Sequence, residues 1–309
     1  MNYILTFILF GLLFLSSCSD LDQAGAQLTN EVSRNAPKAT QLYEKGLKAE
    51  QKGDYKEAAK QYDQLAKKYP TFEKSAEANF KAGQYWEKVS EPVNAFDSYH
   101  EYIQRYRNGA YYKDALDRQS AIAFSASEGG LTKKFLGLNQ EPQYNDVVGL
   151  LSKVRENAPA SDLAARSQFA IGSYSEGQEK TNEAIASYFK VTDDYPDHHL
   201  SPEATLRAGK LLSGITEDGN QNTNNLQRAK NTLEDLIQQY PSSTQATEAR
   251  TLVSKISDSS IQRTFDVAEF YEKKDKISSA KYYYEEVLNK TTAGTELHTK
   301  AQEKLNSLQ

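Results

Sequence analysis

One cysteine, one methionine and one tryptophan stand in 309 residues. A single thiol, Cys18, excludes an internal disulfide and every zinc site built on cysteine. Strongly basic runs are missing as well. The chain has 37 basic and 42 acidic residues, a net charge of −5, so nucleic acid is not an expected partner. No Walker loop, GxSxG or CxxC occurs. The nearest approach to a zinc-protease helix is His100-Glu101-Tyr102-Ile103-Gln104, where Gln104 replaces the second histidine ligand. Acids and imidazoles meet at Asp193-Asp194-Tyr195-Pro196-Asp197-His198-His199, which reads as a solvated turn. No metal or catalytic residue is expected. Long apolar runs are also scarce. One covers Ile4–Leu15, and its 12 residues fall short of the roughly 20 that a spanning helix needs.

That run, ILTFILFGLLFL, suits the central segment of a secretory signal, and the small residues Ser16 and Ser17 follow it. Leu15-Ser16-Ser17-Cys18 resembles the bacterial lipobox. The resemblance implies cleavage before Cys18, a diacylglycerol on its thiol and an acylated new amine. This covalent lipid is the one prosthetic group expected, and there is no other cofactor. Each buried CH₂ contributes about 0.8 kcal/mol, so two or three chains hold a protein where one does not. Ser19, rather than Asp, follows the cysteine, which in the enteric pattern points to the outer membrane. The expected order is a signal at 1–17, the lipidated cysteine and a polar tether at 18–38, and a folded part at 39–308.

The folded part repeats. The segments 53-GDYKEAAKQYDQLAKKYP-70 and 90-SEPVNAFDSYHEYIQRYR-107 align without a gap at a spacing of 37, and four later segments fit the same frame. A small residue recurs at Ala58, Ala95, Val147, Ala184, Ala229 and Ala280. Four residues on comes a large one, at Tyr62, Tyr99, Leu151, Tyr188, Leu233 and Tyr284. Three further on come Leu65, Tyr102, Val154, Val191, Leu236 and Val287. Steps of four and three place all three on one helix face. Pro70, Pro159, Pro196 and Pro241 end their helices. A second helix precedes each, with Gly46, Gly83, Gly172 and Gly209 at a fixed place and Ala268 in the last copy. Glycine inside a helix costs about 1 kcal/mol against alanine, so its recurrence implies close packing.

This pattern resembles the tetratricopeptide repeat, with Gly46, Ala49, Gly53, Tyr55, Ala58, Tyr62 and Pro70 in register. The implied fold is all-α, a right-handed solenoid of about six helix-turn-helix repeats over 39–308. Three segments depart from the spacing. Ser125–Gln140 and Gly214–Asn225 read as inserted loops, and Ser243–Lys274 as an extended or bent helix. In these repeats Tyr43, Phe80 and Phe265 fall where first helices usually face the concave groove.

Lipobox, tether and repeats together resemble the BamD (YfiO) family of outer-membrane assembly lipoproteins. Three stretches carry the resemblance: 69-YPTFEKSAEANFKAGQYWEK-88, 135-FLGLNQEPQYNDVVGLLSKVRENAPAS-161 and 267-VAEFYEKKDKISSAKYYYEEVL-288. Six repeats exceed the five of the best-known members. The resemblance implies a non-catalytic, lipid-anchored scaffold on the inner leaflet of the outer membrane, facing the periplasm and helping β-barrel proteins to fold and insert. Expected partners are a BamA-like barrel subunit, other lipoproteins of the assembly complex and unfolded outer-membrane protein segments. An N-terminal groove of Tyr43, Leu47, Phe80, Gln84 and Glu87 would receive the segments. A C-terminal face of Phe265, Glu269, Glu272 and Lys273 would dock the barrel subunit. Other envelope adaptors of the same repeat type, a type IV pilus pilotin or the Tol-Pal-associated repeat protein, stay open at this point.

Overall fold

The computed structural model describes residues 36–130, 142–217 and 223–308. The signal segment, Cys18 and most of the tether lie outside them. Among the described residues there are thirteen helices and no strand. The first three pairs are α1 (36–51) with α2 (Tyr55–Lys68), α3 (Ser75–Lys88) with α4 (Pro92–Arg105), and α5 (Tyr112–Ser127) with α6 (Tyr144–Asn157). Three more follow: α7 (Asp162–Gly177) with α8 (Thr181–Asp194), α9 (Ser201–Glu217) with α10 (Thr223–Gln239), and α11 (Thr244–Lys273) with α12 (Ile277–Lys290). A last helix, α13 (Glu296–Ser307), closes the chain. Six pairs on one frame make this the tetratricopeptide-type helical repeat that the spacing predicts.

The chain forms two compact units, one ending at Ala170 and one starting at Ile171. In the first, α2 packs on α3, α3 on α4, α4 on α5 and α5 on α6, while α4 also touches α6. In the second, α8 packs on α9, α9 on α10, α10 on α11, α11 on α12 and α12 on α13, with α9 also against α11 and α11 against α13. Each helix thus buries its apolar stripe on sequence neighbours, as a repeat protein must. All eighteen positions of the small-large-large frame are 0% exposed.

The glycines explain that burial. A Cβ on Gly83 would sit 2.4 Å from the Tyr99 ring, and on Gly46 2.4 Å from Tyr62. Gly172 faces Tyr188 at 2.7 Å, and Gly209 faces Leu233 at 2.7 Å. The glycine is therefore a seat for the large residue of the partner helix, and hydrogen in place of a methyl lets the ring lie on the backbone.

Five first helices end in the same way. Asp54, Glu91, Gly130, Lys180 and Lys276 each donate their backbone N–H to the carbonyl five residues back, of Ala49, Trp86, Ser125, Ser175 and Tyr271. The residue before each donor is left-handed: Gly53 (φ 75°), Ser90 (58°), Gly129 (79°), Glu179 (58°) and Asp275 (54°). This closure satisfies carbonyls that a helix end leaves open. Asp54 then starts α2, its side chain accepting from the Glu57 N–H at 3.1 Å.

Some boundaries differ from expectation. Residues 36–38, expected in the tether, already belong to α1, and the Thr40 hydroxyl donates to the Ala36 carbonyl at 2.9 Å. Ser125–Ser127, expected in a loop, complete α5. Gly214–Glu217 complete α9, and Thr223–Asn225 begin α10. Glycine, asparagine and serine read as loop formers, but intact helix ladders on either side override weak local preference. Residues 128–130 form the turn after α5, and residues 131–140 and 218–222 lie outside the described residues. Within 243–274, Thr244–Lys273 form one helix of 30 residues, α11, capped by Ser243, whose side chain accepts from the Ala246 N–H.

Candidate functional site

An open groove of about 810 Å³ lies in the first unit between α3 and α5. Phe80, Gln84 and Glu87 on α3 form one wall. Tyr111, Asp114, Asp117, Arg118 and Ile122 form the other. Phe80 is 5% exposed and serves as the floor. Its ring stacks face to face on Tyr111, with centroids 4.6 Å apart and planes 4° apart, and the Tyr99 and Tyr102 rings lie tilted beside it. Tyr111 is also held by its backbone N–H, which donates to the Tyr102 hydroxyl at 3.0 Å. Tyr111 is 36% exposed, so it, rather than Phe80, offers the aromatic surface.

Tyr43 and Leu47, on α1, are half-buried and do not line the groove. The Tyr43 hydroxyl donates to Glu77 at 3.3 Å, and burial followed by the Glu77 charge raises its phenol above the ordinary value. The opposite wall went unread in the sequence, although the repeat length marks it. Adding 37 to Tyr43 and Leu47 gives Phe80 and Gln84, and adding it again gives Asp117 and Ala121, both in the groove.

A polar quartet recurs beside the glycine seat. Each seated tyrosine donates its hydroxyl to the glutamate four residues after the glycine position. Tyr62 donates to Glu50 at 2.7 Å, Tyr188 to Glu176 at 2.6 Å and Tyr284 to Glu272 at 2.6 Å, and Tyr99 does the same to Glu87. A cation from a later helix completes each set. Lys81 reaches Glu50 at 3.5 Å, Arg118 Glu87 at 3.1 Å, Arg207 Glu176 at 3.4 Å and Lys304 Glu272 at 3.1 Å. Burial, then the hydrogen bond to a carboxylate, drives these phenols far above their ordinary range. Such hydroxyls are fixed donors, not nucleophiles. For Glu50, burial pushes the carboxyl up, but hydrogen bonds from Tyr62 and Tyr85 outweigh it and leave the group below its usual value. The Tyr284 hydrogen bond, with Lys304, likewise holds Glu272 low.

The sequence carries the correlation. The third and fifth pairs have Phe124 and Ser213 where the glutamate would be, and Leu151 and Leu233 for the tyrosine. The helices that follow them have Ala170 and Asp266 in place of the cation. Glu87 and Glu272, expected as partner contacts, are thus first of all members of the internal packing set.

At the C-terminal face, Phe265 is 6% exposed and meets Tyr284 edge-on at 5.3 Å. Glu269 is half-buried and Lys273 exposed. Phe265 cannot serve as an exposed anchor. A step of three or four along α11 carries Phe265, Ala268 and Glu272 on the inward face and turns Val267 and Phe270 outward. Those two are 38% and 56% exposed, and Tyr282 on α12 is 59% exposed. The HExxH-like stretch is built into its helix. His100 stacks on Phe96 and bonds Asn157, while Glu101 pairs with Arg105 at 2.7 Å. His198 Nδ1 accepts from the Leu200 N–H at 3.2 Å.

Stacked helix pairs around an open, aromatic-floored groove define a protein-interaction repeat protein. Residues 139–306 match the YfiO family, described as outer membrane lipoprotein, and residues 38–71 match a tetratricopeptide repeat family. The chain belongs to the YfiO outer membrane lipoprotein family. A search of curated proteins gave no match. Among solved structures, a repeat-containing protein of Cytophaga hutchinsonii is 14% identical, with 89% of this chain and 93% of that chain covered and a TM-score of 0.34. PilF of Pseudomonas aeruginosa is 16% identical over 86% and 97%, with a TM-score of 0.31. MamA is 16% identical over 68% and 96%, with a TM-score of 0.30. No helix among the described residues is long and apolar enough to cross a membrane.

Proposed function

We propose that this protein is a non-catalytic scaffold for assembly of β-barrel proteins in the outer membrane, held to the inner leaflet by lipid on Cys18. The observation that carries the reading is the YfiO match over residues 139–306, which takes in α6 to α13. The groove between α3 and α5 supports the substrate half of it. Its preformed floor of stacked rings suits an extended chain whose alternate side chains are aromatic, as terminal strands of barrel proteins are. A rigid receiver limits the ordering cost to that of the peptide. Glu269 and Lys273 on α11 serve a docked barrel subunit, where charge sets orientation more than affinity.

The test is purification of the full chain from membranes in mild detergent. A large barrel protein with periplasmic domains is expected to co-purify. Tyr111→Ala is expected to weaken binding of an alternating aromatic peptide at least tenfold while leaving that co-purification intact. Loss of neither, or absence of any barrel protein, contradicts the reading.

A further inference from the structure

The 30 residues of α11 are about twice the length of its neighbours, and two separate apolar clusters share it. Toward its start, Ala249 packs with Leu206, Leu233 and Leu236, with Leu252, Val253 and Ile256 beside them. Toward its end, Phe265 and Ala268 pack with Ala280, Tyr284 and Val287, with Ile261 beside them. The intervening Ser257-Asp258-Ser259-Ser260 belongs to neither cluster. At 1.5 Å per residue, four residues add about 6 Å of helix between the two cores. A cleft of about 790 Å³ opens there, bounded by α10, the middle of α11, and α12.

Its chemistry is one-sided. The apolar lining comes from Leu226, Ile256, Ile261, Val267 and Tyr283, and the charged lining from Lys230, Arg263 and Lys290. Among the described residues no carboxylate lines the cleft, on a chain whose net charge is −5. Lys230 and Lys290 each have a glutamate four residues away on their own helix, at 3.8 Å and 2.6 Å. Arg263 is exposed. The three cations come from three different helices, α10, α11 and α12.

We propose that this cleft docks an acidic amphipathic helix of a partner protein. Leucine-like side chains at steps of three and four fill the space against Ile256, Ile261 and Val267. Carboxylates spaced along the same helix meet Lys230, Arg263 and Lys290 in turn. The site uses none of Phe265, Glu269, Glu272 and Lys273, and it does not rest on the barrel-assembly reading.

The test uses the full chain in mild non-ionic detergent and fluorescence anisotropy. The probe is a labelled 14-residue synthetic helix with leucines on one face and glutamates flanking them. Its counterpart carries lysines in place of the glutamates. The glutamate peptide is expected to bind at least tenfold more tightly than the lysine peptide, and to lose at least tenfold in Arg263→Glu. Arg263 is solvent-facing, and circular dichroism checks that the variant folds. A second variant, Val267→Asp, is expected to weaken the same peptide. Equal binding of the two peptides, no binding of either, or full binding by Arg263→Glu would overturn the proposal. So would displacement of the peptide by lysophosphatidylglycerol at equal concentration, which assigns the site to a lipid headgroup. Concentration-dependent self-association abolished by Arg263→Glu assigns it to a second copy and equally overturns it.

Discussion

At the scale of single residues, one atom decides how a pair closes. Gly83 and Gly149 are both helical glycines, yet a Cβ on the first meets the Tyr99 ring at 2.4 Å and on the second meets nothing within 4 Å. Gly83→Ala gains about 1 kcal/mol of helix propensity and loses about 1–3 kcal/mol to overpacking. It is expected to lower stability, by up to about 2 kcal/mol in a urea titration. Gly149→Ala is expected to raise it by about 0.5–1 kcal/mol in the same measurement. Tyr62→Ala empties a fully buried site and is expected to cost about 3–5 kcal/mol. The quartets add a pH dependence. Glu50 and Glu272 have folded pKa values below their unfolded ones. Their stabilisation is complete above the unfolded value, about 4.3, and is lost as pH falls through the folded value. Glu50→Gln and Glu272→Gln are therefore expected to flatten the acid limb of stability against pH, beginning near pH 4.3 and running down. Asp63 works in the opposite sense. Burial, only partly offset by hydrogen bonds from Trp86 and Ser98, raises its carboxyl, so its contribution is complete at low pH and is lost as pH rises through the folded value. The small-large-large frame and the glycine seats were legible from periodicity, because close packing restricts residue type at every repeat. From the sequence, Glu87 and Glu272 read as partner contacts and not as packing residues, because an acid on a charged helix shows no internal role until the tyrosine 12 residues on is known to reach it.

At the scale of elements, the ends of the first helices carry strain that the sequence spreads unevenly. Two closures use glycine, Gly53 and Gly129, while three others hold Ser90, Glu179 and Asp275 in the left-handed region. That region costs an L-residue about 1–2 kcal/mol, and glycine returns about 0.4–1 kcal/mol of this through its freer unfolded chain. Glu179→Gly is expected to stabilise by about 0.5–1 kcal/mol, read from its urea midpoint at unchanged slope. The middle of α11 responds differently, since it bridges two clusters without belonging to either. Ser259→Pro removes a helix bond and clashes with the carbonyl four residues earlier, a cost of about 3 kcal/mol or more. Hydrogen exchange is expected to rise first around residues 257–263. Protection in α12 and α13 should then fall below that of α9 and α10, because the last cluster loses its connection. Uniform loss along the second unit would show instead that α11 and both its clusters open as one. The long helix was legible because no proline or glycine interrupts 244–273. The docking face was not, since which side of a helix stays open depends on where its neighbours lie, and a periodic stripe does not say which of two sides they cover.

At the scale of the whole molecule, the described helices are amphipathic repeat elements, and none is a membrane span. The proposed lipid anchor lies in the segment before them. The 12-residue run Ile4–Leu15 is too short to span, and the chain's one cysteine, Cys18, follows it after two serines. An uncleaved signal and a lipidated cysteine make different demands on that residue. The first needs no thiol at all, whereas the second needs the nucleophile and removes the apolar run. One acyl chain gives only marginal, reversible binding, so stable attachment requires the two or three chains of a processed lipoprotein. Cys18→Ser is therefore expected either to leave the precursor uncut in the inner membrane or to release the folded repeats into the soluble periplasmic fraction. The mature wild-type chain is expected to begin at Cys18 and to carry the mass of a diacylglycerol and an amide-linked acyl group. Fractionation and intact-mass measurement read both outcomes. An unmodified thiol on a membrane-bound chain, or a Cys18→Ser variant that still fractionates with the outer membrane, would mean that protein contacts rather than lipid hold this molecule in place. The basic cleft on α11 and the groove on α3 and α5 would then be the first surfaces to test as its attachment points.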